Sequence, residues 1–406
     1  MFRIPLLLLL LSCFSAPLTA QVFTSEDSLA AGLRADDRKT YLSGYGELKV
    51  QYDMALNTGT ANLTRNVLFV GHRFNRKLSF FSEMELENAS VEGGAMGGEL
   101  SMEQLFLKFD INKDVYLVGG LFIPRIGIIN ENHLPTTFNG NDRPFVEQLV
   151  IPSTWREIGV GLYGRSARMP GLNWSVALQN GLDASSFTNG SGIREGRQGG
   201  SNASASNLGV TGALLYYWND LRVQASGYYG GSAGLTQREA DSLQLDYGMF
   251  GTPITMFEAD AQWRGDAWSL KALVVNASIP DAERINRAYA NNTPERMTGA
   301  YAEAAFDLLS LCGKGADRDL TAFARYETID MEAALPDNGI PNGVNQQQYF
   351  VAGLVYKPVT GISVKVDHVT RITGEPNPDL VVNPFPQALP YFTTNGFLNI
   401  GLAYSF

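Results

Sequence analysis

The chain has 406 residues, with 31 Lys plus Arg against 41 Asp plus Glu, 42 glycines, 11% aromatic and 18% charged residues. It is too apolar and aromatic to be disordered, and its formal charge of −10 argues against a nucleic-acid partner. A polytopic helical membrane protein needs apolar runs of about 18 residues or more; the only strongly apolar run is short and N-terminal, which leaves a soluble protein or a β-barrel.

Met1-Phe2-Arg3 is a short basic start, Ile4 to Leu11 an apolar core, and Ala20 before Gln21 a small-residue exit. This is the pattern of a secretory signal peptide, residues 1–20. Leu10-Leu11-Ser12-Cys13 loosely resembles a lipobox, but the apolar core is short for that reading. Cleavage removes Cys13 and Arg3, leaving Cys312 alone, with no intramolecular disulfide possible, and 30 basic against 41 acidic groups. Residues 21–42 read as a short periplasmic lead, a helix or a disordered arm, before a barrel over 43–406.

From Ser43 onward the chain becomes short alternating segments. Leu48, Val50 and Tyr52 oppose Glu47, Lys49, Gln51 and Asp53; Phe257, Ala259 and Ala261 oppose Glu258, Asp260 and Gln262; Ile362, Val364 and Val366 oppose Ser363, Lys365 and Asp367. Period-two alternation puts every second side chain on one face of a strand. Sixteen such strands are predicted, the first at 43–53 and the last at 395–406. Their connections alternate between turn-sized ones, such as Asn75-Arg76-Lys77, Asn112-Lys113-Asp114 and Asn219-Asp220, and long ones. An even number of antiparallel strands with short turns at one end and long loops at the other is the pattern of an outer-membrane barrel. The fold class is therefore all-β, a transmembrane antiparallel barrel of about 16 strands, because without water only helices or closed barrels satisfy the backbone.

Trp174, Trp218, Trp263 and Trp268 lie beside short turns, and Trp155 is expected to begin a strand at the long-loop end, so aromatics mark both interfaces. The chain ends on Leu398, Ile400, Leu402, Tyr404 and Phe406 in alternation, an ending similar to the signature read by outer-membrane assembly machinery.

The longest connection, residues 124–154, shows no evident secondary structure, and loops of this length are usually functional. Folded into the lumen it would narrow an aqueous pore. Candidate constriction and selectivity residues are Arg125, Glu131, His133, Arg143 and Glu147, with Arg156 and Glu157 at the start of the sixth strand. Taken singly, each charge reads more readily as an anchor to the wall than as a filter group, since most ion pairs are not functional sites.

Gly120-x-Phe122-x-Pro124-x-x-Gly127, Arg143-Pro144 with Glu147, and Pro152-x-x-Trp155-Arg156-Glu157-x-Gly159-Val160 resemble the central region of the phosphate-selective porin O and P family, as does Trp174-Ser175-Val176-Ala177-x-x-Asn180-Gly181. The resemblance covers residues 115–181. It implies a sixteen-stranded, homotrimeric porin in the outer membrane of a Gram-negative bacterium, with the third long loop folded inward. The family's arginine ladder and lysine cluster are not matched: the chain has nine Lys, none of them in 124–154, and the inward faces are rich in Asp and Glu. An anion filter needs a positive field along its path, so phosphate is not carried over.

The expected function is a passive diffusion channel for small hydrophilic solutes or ions, lodged in outer-membrane lipid, with no cofactor, no metal and no catalytic residues. The alternatives are a barrel hydrolase and an adhesive or structural barrel. Against a hydrolase, His72, His133 and His368 stand in separate segments and no His-Glu-x-x-His motif occurs. Against a gated receptor-transporter, residues 21–42 are too few for a plug domain.

Overall fold

The computed structural model describes residues 40–88, 98–312, 318–380 and 391–406; the expected signal peptide and residues 21–39 lie outside these. Sixteen antiparallel strands close into one barrel, each paired with its neighbours in sequence and the first with the last. They are β1 (Thr40–Asp53), β2 (Thr58–Arg73), β3 (Leu78–Glu87), β4 (Glu99–Asp110), β5 (Val115–Phe122), β6 (Glu157–Arg165), β7 (Leu172–Asn180) and β8 (Leu208–Trp218). β9 (Leu221–Gly230), β10 (Ile254–Arg264), β11 (Trp268–Ser278), β12 (Arg296–Asp307), β13 (Asp319–Ala334), β14 (Gln346–Lys357), β15 (Ile362–Thr373) and β16 (Thr394–Ser405) complete the circuit.

The alternation places apolar side chains outside and charged ones inside, the reverse of a water-soluble protein. Phe257 is 70% exposed and its neighbour Glu258 only 3%; on β15, Val364 and Val366 face outward while Lys365 and Asp367 are buried. An apolar belt running round the whole barrel is stable only against lipid. Closure removes the sheet edges, so no ladder group is left facing hydrocarbon.

Local chemistry fixes the ends. Asn75 Oδ1 accepts from the amides of Lys77 and Leu78 at 2.8 and 3.0 Å, and Asn112 Oδ1 does the same for Asp114 and Val115. Both turns are thus closed by an Asx side chain. At the seam, Phe406 N donates to the Gly44 carbonyl at 2.9 Å and Gly44 N to Phe406 at 3.2 Å, so the terminal residue takes part in closure.

Three differences from the sequence reading have local causes. β2 begins at Thr58, so the first connection, expected over 54–62, is only residues 54–57; the polar start of β2, Thr58 to Asn62, pairs with β1 from Lys49 to Asp53 and lacks an apolar pattern to betray it. β1 starts at Thr40, before the predicted residue 43. Trp155 does not mark an interface: β6 begins at Glu157, and Trp155 is wholly buried inside the barrel with its ring 4.7 Å from that of Tyr228.

The third long connection, residues 123–156, enters the barrel and carries helix α1 (Phe145–Leu149); the fourth, residues 181–207, the fifth, 231–253, with α2 (Gln237–Leu243), and the sixth, 279–295, with α3 (Ala282–Tyr289), pack against it. Ile126, Val146, Val150, Ile151 and Trp155 pack with Leu182, Phe187, Ile193, Ile279 and Ile285 and with wall residues such as Met256 and Val351 in one buried apolar cluster. The third loop folds inward as expected, and part of the lumen that it was expected only to narrow is filled by a buried apolar core.

Candidate functional site

A chain crossing the lumen must find partners for its own backbone groups, and here the wall's charged side chains supply them. Lys365 Nζ donates to the carbonyls of Phe138 and Gly140 at 3.0 and 2.8 Å, and Asp367 accepts from Asn141 N at 2.7 Å. Glu327 accepts from Val146 N at 2.9 Å and Glu258 from Gly127 N at 3.3 Å. Arg325 donates to the carbonyls of Asn139 and Asp142 while its guanidinium pairs with Glu303 at 3.1 Å and Glu327 at 2.8 Å. Lys49 holds the Asp142 carboxylate at 2.7 Å. Charges that the alternation marks as pore-lining thus grip the inward loop.

The candidate residues separate into two groups. Arg125 and Arg222 of β9 both contact Glu131, and the Arg125 guanidinium lies over the Tyr163 ring, so this pair ties the loop to the wall. Glu147 is wholly buried; its Oε2 accepts from the amides of Ile128 and Ile129 at 2.8 and 2.6 Å, and its Oε1 from the Tyr301 hydroxyl at 2.7 Å. Gly127, at φ +74°, makes room for this carboxylate: a Cβ there would lie 2.8 Å from Glu147 Oε2. Glu157 is buried, accepting from Trp155 Nε1 at 3.2 Å, from Gln198 N at 3.1 Å and from Asn180. His133 is buried against Glu83 of β3 and Glu103 of β4. Arg143 and Arg156, by contrast, line a polar cavity.

Burial pushes the Glu147 carboxyl up to about 7, outweighing its hydrogen-bond donors. The docked loop then holds a proton between the ordinary carboxylate range and about 7 that the released loop does not, so docking weakens as pH rises through that window. Hydrogen exchange of the Ile128 and Ile129 amides, corrected for intrinsic rates, is expected to be slower at about pH 5 than at about pH 8. Glu147→Gln should flatten the difference.

This cavity, of about 400 Å³, lies at the long-loop end, against β1 to β4. Glu47, Glu85, Glu87 and Glu99 line its wall side; Arg143 and Arg156 of the third loop region and Arg194 and Arg197 of the fourth line the other. Arg65 bridges Glu47 and Glu85 at 2.8 and 3.2 Å. Arg143 is buried with Nε and Nη2 free of hydrogen bonds among the described residues, and burial and the nearby Arg65 charge lower its pKa. Burial also brings Arg197 down to about 10. A second cavity of about 380 Å³ lies at the short-turn end of the same wall, lined by Arg73, Arg76, Lys77, Lys108 and Lys113 with Asp110.

Arg194 and Arg197 escape the sequence reading. Arg194 donates to the carbonyls of Gln148 and Ser153, and Arg197 to those of Pro152 and Thr154, clamping the fourth loop onto the third. Their only signal is two arginines between Gly190-Ser191-Gly192 and Gly199-Gly200, which reads as solvated loop. One motif also escapes the sequence reading of a hydrolase: Gly230-Gly231-Ser232-Ala233-Gly234 has the Gly-x-Ser-x-Gly spacing of a nucleophile elbow, but Ser232 is wholly buried and its hydroxyl donates to the Thr252 carbonyl at 2.7 Å.

An apolar outer belt, a charged lumen and an inward third loop define the class: an outer-membrane β-barrel with porin architecture, the fold of Gram-negative outer-membrane proteins. The chain belongs to the family of an uncharacterized protein of Aquifex aeolicus (strain VF5), to which it is 30% identical over 341 residues, 81% of this chain and 74% of that protein. No protein-family model matches. Among solved structures, it is similar to Salmonella typhi OmpF (TM-score 0.56, 11% identity, 92% of this chain and 99% of that one) and to the outer-membrane channel DcaP of Acinetobacter baumannii (0.55, 13%, 90% and 97%). It is similar also to an anion-selective porin from Comamonas acidovorans (0.53, 12%, 90% and 99%). At these identities the likeness is one of fold.

Proposed function

We propose that the protein is a passive, non-catalytic outer-membrane porin for small hydrophilic solutes or ions, whose aqueous route runs along the β1–β4 wall. The observation that carries this reading is the uneven charge across the long-loop cavity: four carboxylates against Lys49 and Arg65 on the barrel wall, four arginines against Asp142 on the loops. Opposed charges across a narrow wet passage create a transverse field, which orients polar solutes and penalises apolar ones. On this reading the second cavity, at the opposite end of the same wall, serves as the exit, and the buried Glu83, Glu103 and His133 between the two cavities mark the narrowest point of the route. Membership of the phosphate-selective porins, suggested by residues 115–181, concerns the inward loop more than the cargo, because both signs of charge line the long-loop cavity. The homotrimer implied by that resemblance is part of the same proposal, and native mass spectrometry in detergent checks it.

The test is ion selectivity. Arg143→Glu should move the reversal potential under a salt gradient toward cation preference, because it inverts a charge facing the cavity. Arg125→Gln should leave it nearly unchanged, because that side chain serves Glu131 and Tyr163. Equal responses would refute this division of roles.

A further inference from the structure

Three ligand-bearing side chains meet between the two cavities: Glu83 of β3, Glu103 of β4 and His133 of the third loop. His133 Nε2 lies 3.4 Å from Glu83 Oε1 and 3.9 Å from Glu103 Oε2, and the three ligand atoms all fall within 4.8 Å of one another. All three residues are buried. Two nitrogen or oxygen ligands each about 2.1 Å from a tetrahedral Zn²⁺ stand about 3.4 Å apart, so one edge already has that length and the others need only to shorten.

Glu103 reaches this point through a bulge. Met84 pairs with Met102 and Glu83 with Gln104, leaving Glu103 as the extra residue, so both it and Gln104 face inward. Bulges re-aim side chains in this way. Glu103 Oε1 is buried without a hydrogen bond of ordinary geometry among the described residues, although the Thr154 hydroxyl is near. Both carboxylates are held by neighbours: Gln104 Nε2 donates to Glu83 Oε2, the oxygen away from His133, at 2.7 Å, and the Tyr45 hydroxyl donates to Glu103 Oε2, the oxygen that faces His133, at 3.1 Å. Outer partners of this kind orient metal ligands.

We propose that Glu83, Glu103 and His133 form a site for a divalent first-row transition ion, which ties the third loop to the β3–β4 wall. One imidazole and two carboxylates suit Zn²⁺, Mn²⁺ or Fe²⁺ better than soft Cu(I), and leave a position for water. The competing occupant is a proton: an imidazolium between two carboxylates would use the same geometry with no metal.

The test uses the untagged, folded barrel in detergent, stripped with chelator and titrated with Co²⁺ and with Zn²⁺. Wild type should bind one equivalent and show Co²⁺ ligand-field bands of low-symmetry nitrogen–oxygen coordination. His133→Gln and Glu103→Gln, checked for folding by heat-modifiable gel migration, should bind about tenfold or more weakly. Wild type without those bands, or variants that bind as tightly as wild type, would overturn the site in favour of the imidazolium. The readout needs no conductance, so it stands or falls separately from the pore reading.

Discussion

Replacing Arg325 with alanine should cost about 3–5 kcal/mol, the usual penalty for removing one partner of a buried ion pair. Arg325 is 1% exposed, between Glu303 and Glu327, both buried, and it also carries the carbonyls of Asn139 and Asp142. Alanine leaves Glu327 without its cation and Glu303 with Lys271 at 3.7 Å, and frees two loop carbonyls at the same time. The expected phenotype is a fall in unfolding free energy in urea-titrated liposomes, with a wider, noisier channel as the third loop detaches. A control separates charge from anchoring: Arg325→Met with Glu303→Gln and Glu327→Gln should regain most of the stability, since apolar or neutral replacements of a buried ionic cluster are often neutral. The loop should stay loose in that triple variant, because methionine cannot donate to the carbonyls of residues 139 and 142.

Val274→Arg should destabilise the barrel by about 2–4 kcal/mol, the cost of a cation near the bilayer midplane on a lipid-facing strand. Val274 lies midway along β11 and is 56% exposed, whereas its neighbour Leu273 is 1% exposed and faces inward. Trp268→Arg, at the short-turn end of the same strand, should cost only about 0–1 kcal/mol, since the interface tolerates charge. Unfolding titrations in liposomes compare the two directly. Equal, small costs at both positions would mean that this face meets water.

The strands were legible in the sequence because period two and turn chemistry are local. Asn75 and Asn112 close turns with their own side chains, and Phe257 next to Glu258 announces a two-faced wall. The polar start of β2 shows the limit: Thr58 to Asn62 extends a ladder by pairing with β1, a partnership written in no nearby pattern. The site was less legible for the same reason. Lys365 and Asp367 alternate like pore-lining residues, and only the path of a loop some 225 residues earlier makes them backbone anchors. Trp155 sits in an interface-like position by sequence yet turns inward, because the third to sixth long loops bury apolar faces together. Arg194 and Arg197 sit between glycine clusters and acquire their role from the carbonyls of residues 148–154.

The metal proposal and the anchoring of the third loop bear on one element. A loop fixed at one end by Glu147 and Arg325 and at the other by His133 would keep the passage at constant width, whereas weakening either end should broaden conductance levels. That expectation links the stability experiments to transport.

The most direct measurement is single-channel recording of the purified, folded wild-type protein in planar bilayers. Steady unitary steps are expected, their size scaling with salt concentration and their ion preference modest, since acidic and basic groups face each other across the long-loop cavity. Correctly folded protein that inserts but gives no steady conductance would contradict the pore reading, and would leave a closed structural or adhesive barrel as the better description.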